Sequence, residues 1–145
     1  MKVPSTAGFA LAATLRADCH VLGRLSFCQL LLVNKAEVPW LIAVPETDVI
    51  ELCDLSTDEQ ALLQGEINQL GRWLRTRFAV TKLNIAAIGN IVPQLHIHII
   101  GRHPDDPWWP AVAWGQPSTH GYAPARVAAI ATALEQDLGS AYRQL

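Results

Sequence analysis

Short apolar runs separated by turn-forming residues dominate the first half of the chain. Residues 28–33 and 40–44 are almost wholly apolar, and the segment between them begins with Asn34 and ends with Pro39. Runs of this length with such flanks are typical of buried strands joined by a hairpin loop. A further strand is predicted at residues 19–25, and a short Ala- and Leu-rich helix at residues 9–15.

Apolar residues spaced three and four apart predict a long helix in the middle of the chain. Its apolar stripe consists of Leu63, Ile67, Leu70, Leu74 and Phe78. Ser56 is followed three residues later by Glu59, which is a capping box and predicts the first turn. A second amphipathic helix is predicted to begin at Pro124, which suits a first turn, and to end at Gly139.

Strict alternation of polar and apolar residues predicts a strand at residues 94–100. Its polar side carries Gln94, His96 and His98, while the intervening aliphatic residues face the core. A strand at residues 82–87 and a glycine turn at residues 88–93 precede it. Residues 1–145 are therefore predicted to form one α+β domain, an antiparallel sheet of about five strands with a long helix and a C-terminal helix.

Composition excludes some partners and leaves others open. A formal net charge of -2 gives no general attraction to nucleic acid or to an anionic membrane, although a small nucleotide needs only local donors. No apolar stretch approaches the roughly 20 residues that span a bilayer. Three widely spaced cysteines fit neither a disulfide framework nor a zinc knuckle, so a cytoplasmic location is predicted.

Three tryptophans lie in a segment that proline, glycine and aspartate keep irregular, between residues 102 and 123. Trp108, Trp109 and Trp114 are too large and apolar to be left in water. They would either cover the sheet or a dimer contact, or form a wall that stacks on a base or on the far half of a substrate.

The histidine pair allows two kinds of chemistry. Imidazoles two residues apart can ligate a metal, but zinc needs at least a third ligand, which Asp105, Asp106 or His120 would supply only if the loop folds back. Alternatively, a neutral imidazole can attack a phosphoryl centre, while the second histidine stabilises charge on the phosphoryl oxygens. The attacking ring must then give its other N–H to a fixed acceptor such as a backbone carbonyl.

The segment Gln94-Leu-His-Ile-His-Ile-Ile100 resembles the histidine triad motif, His-φ-His-φ-His-φ-φ, of the HIT family of nucleotide hydrolases and transferases, with Gln94 in place of the first histidine. The order of hairpin, long helix, strand, glycine turn and histidine strand is also similar over roughly residues 27–102. The resemblance implies a HIT-like fold, a homodimer with sheets joined across subunits, a small-molecule nucleotide substrate, and no cofactor and no metal held by the triad.

The resemblance also implies roles for individual residues. His96 occupies the position of the family's nucleophile, and His98 that of the histidine that contacts the α-phosphate oxygens. Asn84 and the turn residues Gly89 and Asn90 would hold the phosphate. The expected substrate-binding set is completed by Asn34, near the ribose, and Gln94, whose backbone carbonyl would orient His96.

Two further departures from the family pattern bear on the substrate. Ile91 lies where many members have a serine or threonine that assists the leaving group. Trp40 and residues 46–48 lie in the region where relatives often carry histidine and lysine near the substrate. Both disfavour a phosphoramidate and favour a polyphosphate leaving group. The resemblance therefore implies an enzyme that cleaves dinucleoside polyphosphates or nucleotide conjugates at the α-phosphate through a nucleotidyl-His96 intermediate. The alternative is a non-catalytic nucleotide-binding module that retains the phosphate pocket.

Overall fold

The centre of the fold is a five-stranded sheet in a computed structural model that describes residues 8–145. The strands are β1 (Cys19–Arg24), β2 (Cys28–Val33), β3 (Trp40–Pro45), β4 (Lys82–Ala86) and β5 (Ile97–Arg102). They lie in the order β1-β2-β3-β5-β4, and each neighbouring pair is antiparallel. The predicted α+β fold on an antiparallel sheet is confirmed. The predicted domain also includes residues 1–7, which lie outside the described residues.

Three helices accompany the sheet. They are α1 (Ala13–Asp18), α2 (Thr57–Arg77) and α3 (Pro124–Leu138), with short 3-10 turns at Leu52–Asp54 and Gly139–Ala141. The predicted opening helix is wrong in its bounds, because it begins at Ala13 rather than at residue 9. Ala12 is extended, and its N–H donates to the side chain of Gln94 instead of entering a helix. No helix between residues 8 and 145 is long and apolar enough to cross a membrane.

Helix α2 follows the predicted pattern closely. The Ser56 hydroxyl accepts from the Glu59 N–H at 3.2 Å, and the Glu59 carboxylate accepts from the Ser56 N–H at 2.9 Å, so the capping box is formed. Gly71 lies against β4, where an added Cβ would come within 2.9 Å of Leu83. Close packing therefore explains this glycine, whereas the space around Gly65 is open and nothing in the structure explains it.

The two sides of the sheet have different covers, here named the helix face and the loop face. On the helix face, α2 and α3 pack on alternate strand residues, which include Leu22, Leu30, Leu32, Leu41, Ala43, Ile97 and Ile99. On the loop face, residues 9–15 and the tryptophan segment cover the other set, which includes Leu31, Val33, Trp40, Ile42, Val44 and Ile100. Both covers bury the sheet, but only the loop face carries the candidate site.

Candidate active site

A cavity of about 940 Å³ opens on the loop face. Its walls come from α1, the end of β2, the turn before β5, the two histidines and residues 114–121. The cavity brings together five of the seven residues predicted for the site. These are Asn34, Gly89, Asn90, His96 and His98.

His96 is held by the backbone two residues before it. Its Nδ1 lies 2.6 Å from the carbonyl oxygen of Gln94. Because a carbonyl can only accept, Nδ1 must carry the proton, which leaves the lone pair on Nε2. His96 is buried and precedes β5, which begins at Ile97 and not at residue 94 as predicted. Residues 94–96 pair with neither neighbouring strand. The pairing of β5 with β3 begins at Ile97, and its pairing with β4 begins at His98.

His98 has the opposite arrangement of ring nitrogens. The indole N–H of Trp40 donates to Nδ1 of His98 at 3.0 Å, so the proton of the neutral ring is on Nε2. Burial, and then the neighbouring His96, lower the pKa of His98 to about 4. The two imidazole centroids are 5.1 Å apart. At neutral pH, the site thus pairs one ring with a lone pair available and one ring with an N–H available.

The sequence drew attention to Trp40 only as a departure from the family pattern, and its hydrogen bond to His98 was not foreseen. Ile42 pairs with His98 across β3 and β5, and Trp40 lies two residues along the same face, within diagonal reach of the imidazole. The ring centroids of Trp40 and His98 are 5.7 Å apart. The sequence signals were an aromatic residue at the start of a strand and its place in the family pattern, whereas the contact itself depends on strand register.

The three tryptophans of the loop have different environments. Trp108 is buried in the cover of the loop face, as one of the two interpretations predicts. Trp109 is partly exposed, with the Arg102 guanidinium 5.7 Å from its ring centroid. Trp114 lines the cavity and meets His98 edge-on, with centroids 5.5 Å apart. The segment therefore both covers the sheet and contributes a wall to the cavity.

The turn before the histidines lies at one end of the cavity. Gly89 has φ +68, a conformation that favours glycine, and the turn residues Ile88 to Val92 all line the cavity. Ile91 is 89% exposed, so the position contributes an apolar side chain at the rim and no hydroxyl donor. Backbone N–H groups of such a turn are suited to an anion.

Asn34 lies at the end of β2, where its side-chain oxygen is already used. That oxygen accepts from the Tyr122 N–H at 2.8 Å and from Nε2 of His20 at 3.1 Å. The next residue, Lys35, donates to the backbone carbonyl of Gln116 at 3.0 Å. The bonds with Tyr122 and Gln116 join the end of β2 to the segment after the tryptophans, and the sequence revealed neither of them.

Two predicted site residues lie outside the cavity lining. The side-chain oxygen of Asn84 accepts from Arg102 at 2.9 Å, and its expected contact with a phosphate stays a prediction. Gln94 uses its carbonyl on His96, but its side chain binds the N-terminal segment. Its oxygen accepts from the Ala12 N–H at 2.8 Å, and its nitrogen donates to the Ala10 carbonyl at 2.9 Å.

His120 lines the same cavity as the two histidines, but none of the candidate third metal ligands completes a metal site with them. Asp106 receives two hydrogen bonds from Arg102, and the ring of His120 contacts Thr119 and Glu37. Within the part of the chain that the structure describes, no group of three or more His, Cys, Asp and Glu side chains is placed to hold a metal ion. Among the described residues, the cavity therefore contains two imidazoles and no assembled metal site.

Comparison with known proteins places this geometry in a family. The HIT domain profile matches residues 14–105. A histidine triad protein from Bradyrhizobium japonicum is 37% identical with a TM-score of 0.84, covering 88% of this chain and 96% of its own. One from Sinorhizobium meliloti 1021 is 35% identical with a TM-score of 0.85, over 89% and 96%. One from Marinobacter aquaeolei VT8 is 38% identical with a TM-score of 0.83, over 88% and 94%.

A search of proteins with curated descriptions finds no match. The family profile covers more than half of the chain, and the sequence similarity to three solved structures extends over most of it. The predicted resemblance to the HIT family is thereby confirmed at the level of the family. The chain belongs to the histidine triad (HIT) family.

Proposed function

We propose that this protein is a nucleotide hydrolase or transferase that cleaves its substrate at the α-phosphate through a nucleotidyl-His96 intermediate. HIT proteins are typically nucleotide hydrolases or transferases, which gives the general class. The observation that carries the proposal is the hydrogen bond from Nδ1 of His96 to the Gln94 carbonyl. This bond leaves Nε2 with the lone pair that a nucleophile requires.

The reaction takes two displacements at phosphorus. Nε2 of His96 forms a bond to the α-phosphorus while the bond to the leaving-group oxygen breaks, and that oxygen keeps the electron pair. In the second step, water forms a P–O bond and releases a proton to solvent, while the P–N bond breaks and its electron pair returns to Nε2. The N–H of His98 donates to a non-bridging oxygen in both steps. The turn at Gly89 and Asn90 holds the phosphate with its backbone N–H groups.

The chain is, on this proposal, a triad variant in which glutamine replaces the first histidine without loss of the nucleophile. The carbonyl that orients His96 belongs to the backbone and is present whatever the side chain of residue 94 is. Dinucleoside polyphosphates or nucleotide conjugates with a phosphate leaving group are the proposed substrates. The apolar side chain of Ile91 supports this class, because it gives no hydroxyl to assist a poor leaving group.

A trapped intermediate tests the proposal. Wild-type protein mixed with diadenosine tetraphosphate and quenched without acid should carry one adenylyl group on His96 by mass spectrometry. His96→Ala should lose the adduct and at least about 10³-fold in turnover, because the covalent route is removed. His103→Ala is the matched control, since His103 lies outside the cavity lining. Equal turnover by wild type and His96→Ala would overturn the proposal.

A second candidate function is a nucleotide-binding module without turnover. The observation that favours it is the exposed Ile91 side chain at the rim, where no hydroxyl group assists departure. It predicts that calorimetry detects AMP binding by wild type, while no AMP is released from diadenosine tetraphosphate over hours. Product formation that depends on His96 would exclude it.

We infer that the protein is a homodimer joined at the edge of β4. The other edge strand, β1, is partly covered because Arg24 pairs with Arg143, whereas β4 has only one neighbouring strand. Exposed apolar side chains accompany β4, namely Ile85 at 47% exposure, with Ile50 and Leu52 also exposed. An unpaired strand edge with apolar side chains favours pairing with a second copy.

Light scattering tests the dimer. Wild type should have twice the 15.9 kDa mass of one chain, and Ile85→Lys should shift the mass toward the monomer because a charge would enter the contact. Val112→Lys is the matched control, since Val112 is 57% exposed but lies in the tryptophan segment. A monomeric wild type would contradict the inference.

The cysteines within residues 8–145 are free, which supports a reducing compartment such as the cytoplasm.

A further inference from the structure

We propose that Trp40 is a positioning residue that holds His98 as a neutral hydrogen-bond donor to the nucleotide and prevents it from acting as an acid toward the leaving group. This inference rests on the proposed function for its chemical consequence. Its structural part, the state of the His98 ring, can be measured without any turnover.

The geometry assigns the proton on His98. An indole nitrogen can donate but cannot accept, so the 3.0 Å contact between Nε1 of Trp40 and Nδ1 of His98 requires a lone pair on Nδ1. The neutral ring must then carry its proton on Nε2. A second proton could be added only at Nδ1, which would break the bond and leave the Trp40 donor buried and unsatisfied, at a cost of about 1–3 kcal/mol.

The surroundings of His98 also disfavour a charged ring. From β3, Trp40 contacts one edge of the imidazole, and from the tryptophan segment Trp114 contacts another. His96 is the titratable neighbour on the same segment, and Lys35 stands with its Nζ 5.6 Å from the Trp40 ring. No carboxylate makes a hydrogen bond or ion pair with His98 among the described residues, so nothing there compensates a positive charge.

His96 and His98 thus have complementary roles that two different contacts impose. The Gln94 carbonyl puts the proton of His96 on Nδ1, and the Trp40 indole puts the proton of His98 on Nε2. Without these contacts, each neutral imidazole could populate either tautomer. The contacts therefore select one ring for attack and the other for donation.

This arrangement narrows the class of leaving group. A neutral imidazole that donates from Nε2 can stabilise a phosphoryl oxygen, but it would have to become an anion to release that proton to the leaving group. Burial disfavours an anionic ring, so His98 keeps its proton and stays a hydrogen-bond donor. The site is accordingly matched to phosphoanhydrides, whose leaving group departs as a stable anion, and not to phosphoramidates, whose amine must be protonated.

Long-range ¹H–¹⁵N spectra of the histidine rings test the assignment directly. In the wild type, His98 should show a protonated Nε2 and an unprotonated Nδ1 throughout pH 5 to 8. In Trp40→Phe, which keeps an aromatic ring but loses the N–H, His98 should show both tautomers. Its pKa should rise toward the ordinary value of about 6.5, because protonation of Nδ1 would no longer leave a buried indole N–H unsatisfied.

Trp114→Phe is the matched control, because Trp114 contacts the same ring without donating to its Nδ1. It should leave the tautomer of His98 unchanged. A wild-type His98 that is protonated on Nδ1, or that titrates near pH 6.5, would overturn the proposal. So would a Trp40→Phe spectrum identical to that of the wild type. If Trp40→Phe does not fold, the wild-type spectrum alone still decides.

Substrate selectivity tests the chemical consequence. The wild type should prefer diadenosine tetraphosphate over an adenosine phosphoramidate by at least about tenfold in kcat/KM at pH 6. Trp40→Phe should narrow that ratio, because a His98 that can be protonated can give a proton to the amine. If this kcat/KM ratio is the same in Trp40→Phe as in the wild type, Trp40 does not determine the choice of leaving group. If no His96 adduct forms at all, the proposed function fails while the tautomer assignment can still hold.

Discussion

The two faces of the sheet are covered by different means, and the difference explains where the site lies. On the helix face, α2 and α3 satisfy their own backbone groups and need only to bury an apolar stripe. On the loop face, extended and irregular segments leave backbone groups that side chains must satisfy. A helix packs flat and leaves little space, whereas segments held at separate points can enclose a cavity.

Hydrogen bonds from polar side chains hold the segments of the loop face in place at a few points. Arg102 is only 2% exposed and donates to both oxygens of Asp106 at 2.8 and 3.0 Å, and Asp106 also accepts from the Trp108 N–H. Glu37 accepts from residues 118–120 on the far side of the cavity. The helix face has a counterpart in Glu66, which accepts from the N–H groups of Phe27 and Cys28.

The largest effect is expected from Arg102→Met, which should lower the free energy of unfolding by about 3–5 kcal/mol, because it leaves the Asp106 carboxylate buried without its partner. Urea denaturation measures this loss. Burial alone would raise the pKa of Asp106, but hydrogen bonds from Arg102 and from the backbone outweigh it and lower that pKa. The stabilisation is therefore present above the unfolded pKa of about 3.9 and is lost as pH falls through the lower folded value.

Leu70→Ala on the helix face is the control for that comparison. Leu70 is fully buried, and its truncation should cost about 2–5 kcal/mol through the cavity that it leaves. Both variants lose stability. AMP binding by the protein that remains folded should weaken only in Arg102→Met, because Arg102, unlike Leu70, holds the tryptophan segment in place. Equal AMP affinity in the two variants under folding conditions would show that the segment does not depend on Arg102.

The fold was largely predictable because its main elements have local patterns. The stripe and capping box of α2 lie within one stretch of chain, as do the apolar runs of β2 and β3. The bounds of α1 were not predictable, because the contact that keeps residue 12 extended comes from a side chain 82 residues away. Periodicity describes the face that an element buries, but not where a distant partner stops it.

The site was predictable where one motif carries it and not where distant strands meet. The turn and the two histidines are contiguous, so one motif located both. The bond between Trp40 and His98 joins residues 58 apart and depends on the register of β3 with β5. The hydrogen bond from Arg102 to Asn84 was not predictable for a related reason, since the strand position of Asn84 was predicted but its partner on the neighbouring strand was not.

The smallest effect is expected at Gln94, whose side chain holds residues 10–12 against the loop face. Gln94→Ala should cost about 1 kcal/mol and raise KM severalfold, because two hydrogen bonds to the N-terminal wall are lost while the carbonyl beside His96 stays. Steady-state kinetics with diadenosine tetraphosphate measure the change, and the His96 adduct should still form. An unchanged KM would mean that this wall holds without Gln94.

Gln94→Glu sharpens the same comparison, because it keeps the size and one acceptor. A carboxylate can still accept from the Ala12 N–H, but it would place a second acceptor against the Ala10 carbonyl, where the amide donates. The KM of this variant should therefore exceed that of the wild type at pH 7 and return toward it as pH falls and the glutamate becomes protonated and donates again. This should happen above the ordinary glutamate pKa of about 4.3, because the facing Ala10 carbonyl disfavours the charged form. Recovery of KM at acid pH in Gln94→Glu, without recovery in Gln94→Ala, would identify the donor to Ala10 as the contact that closes the loop face.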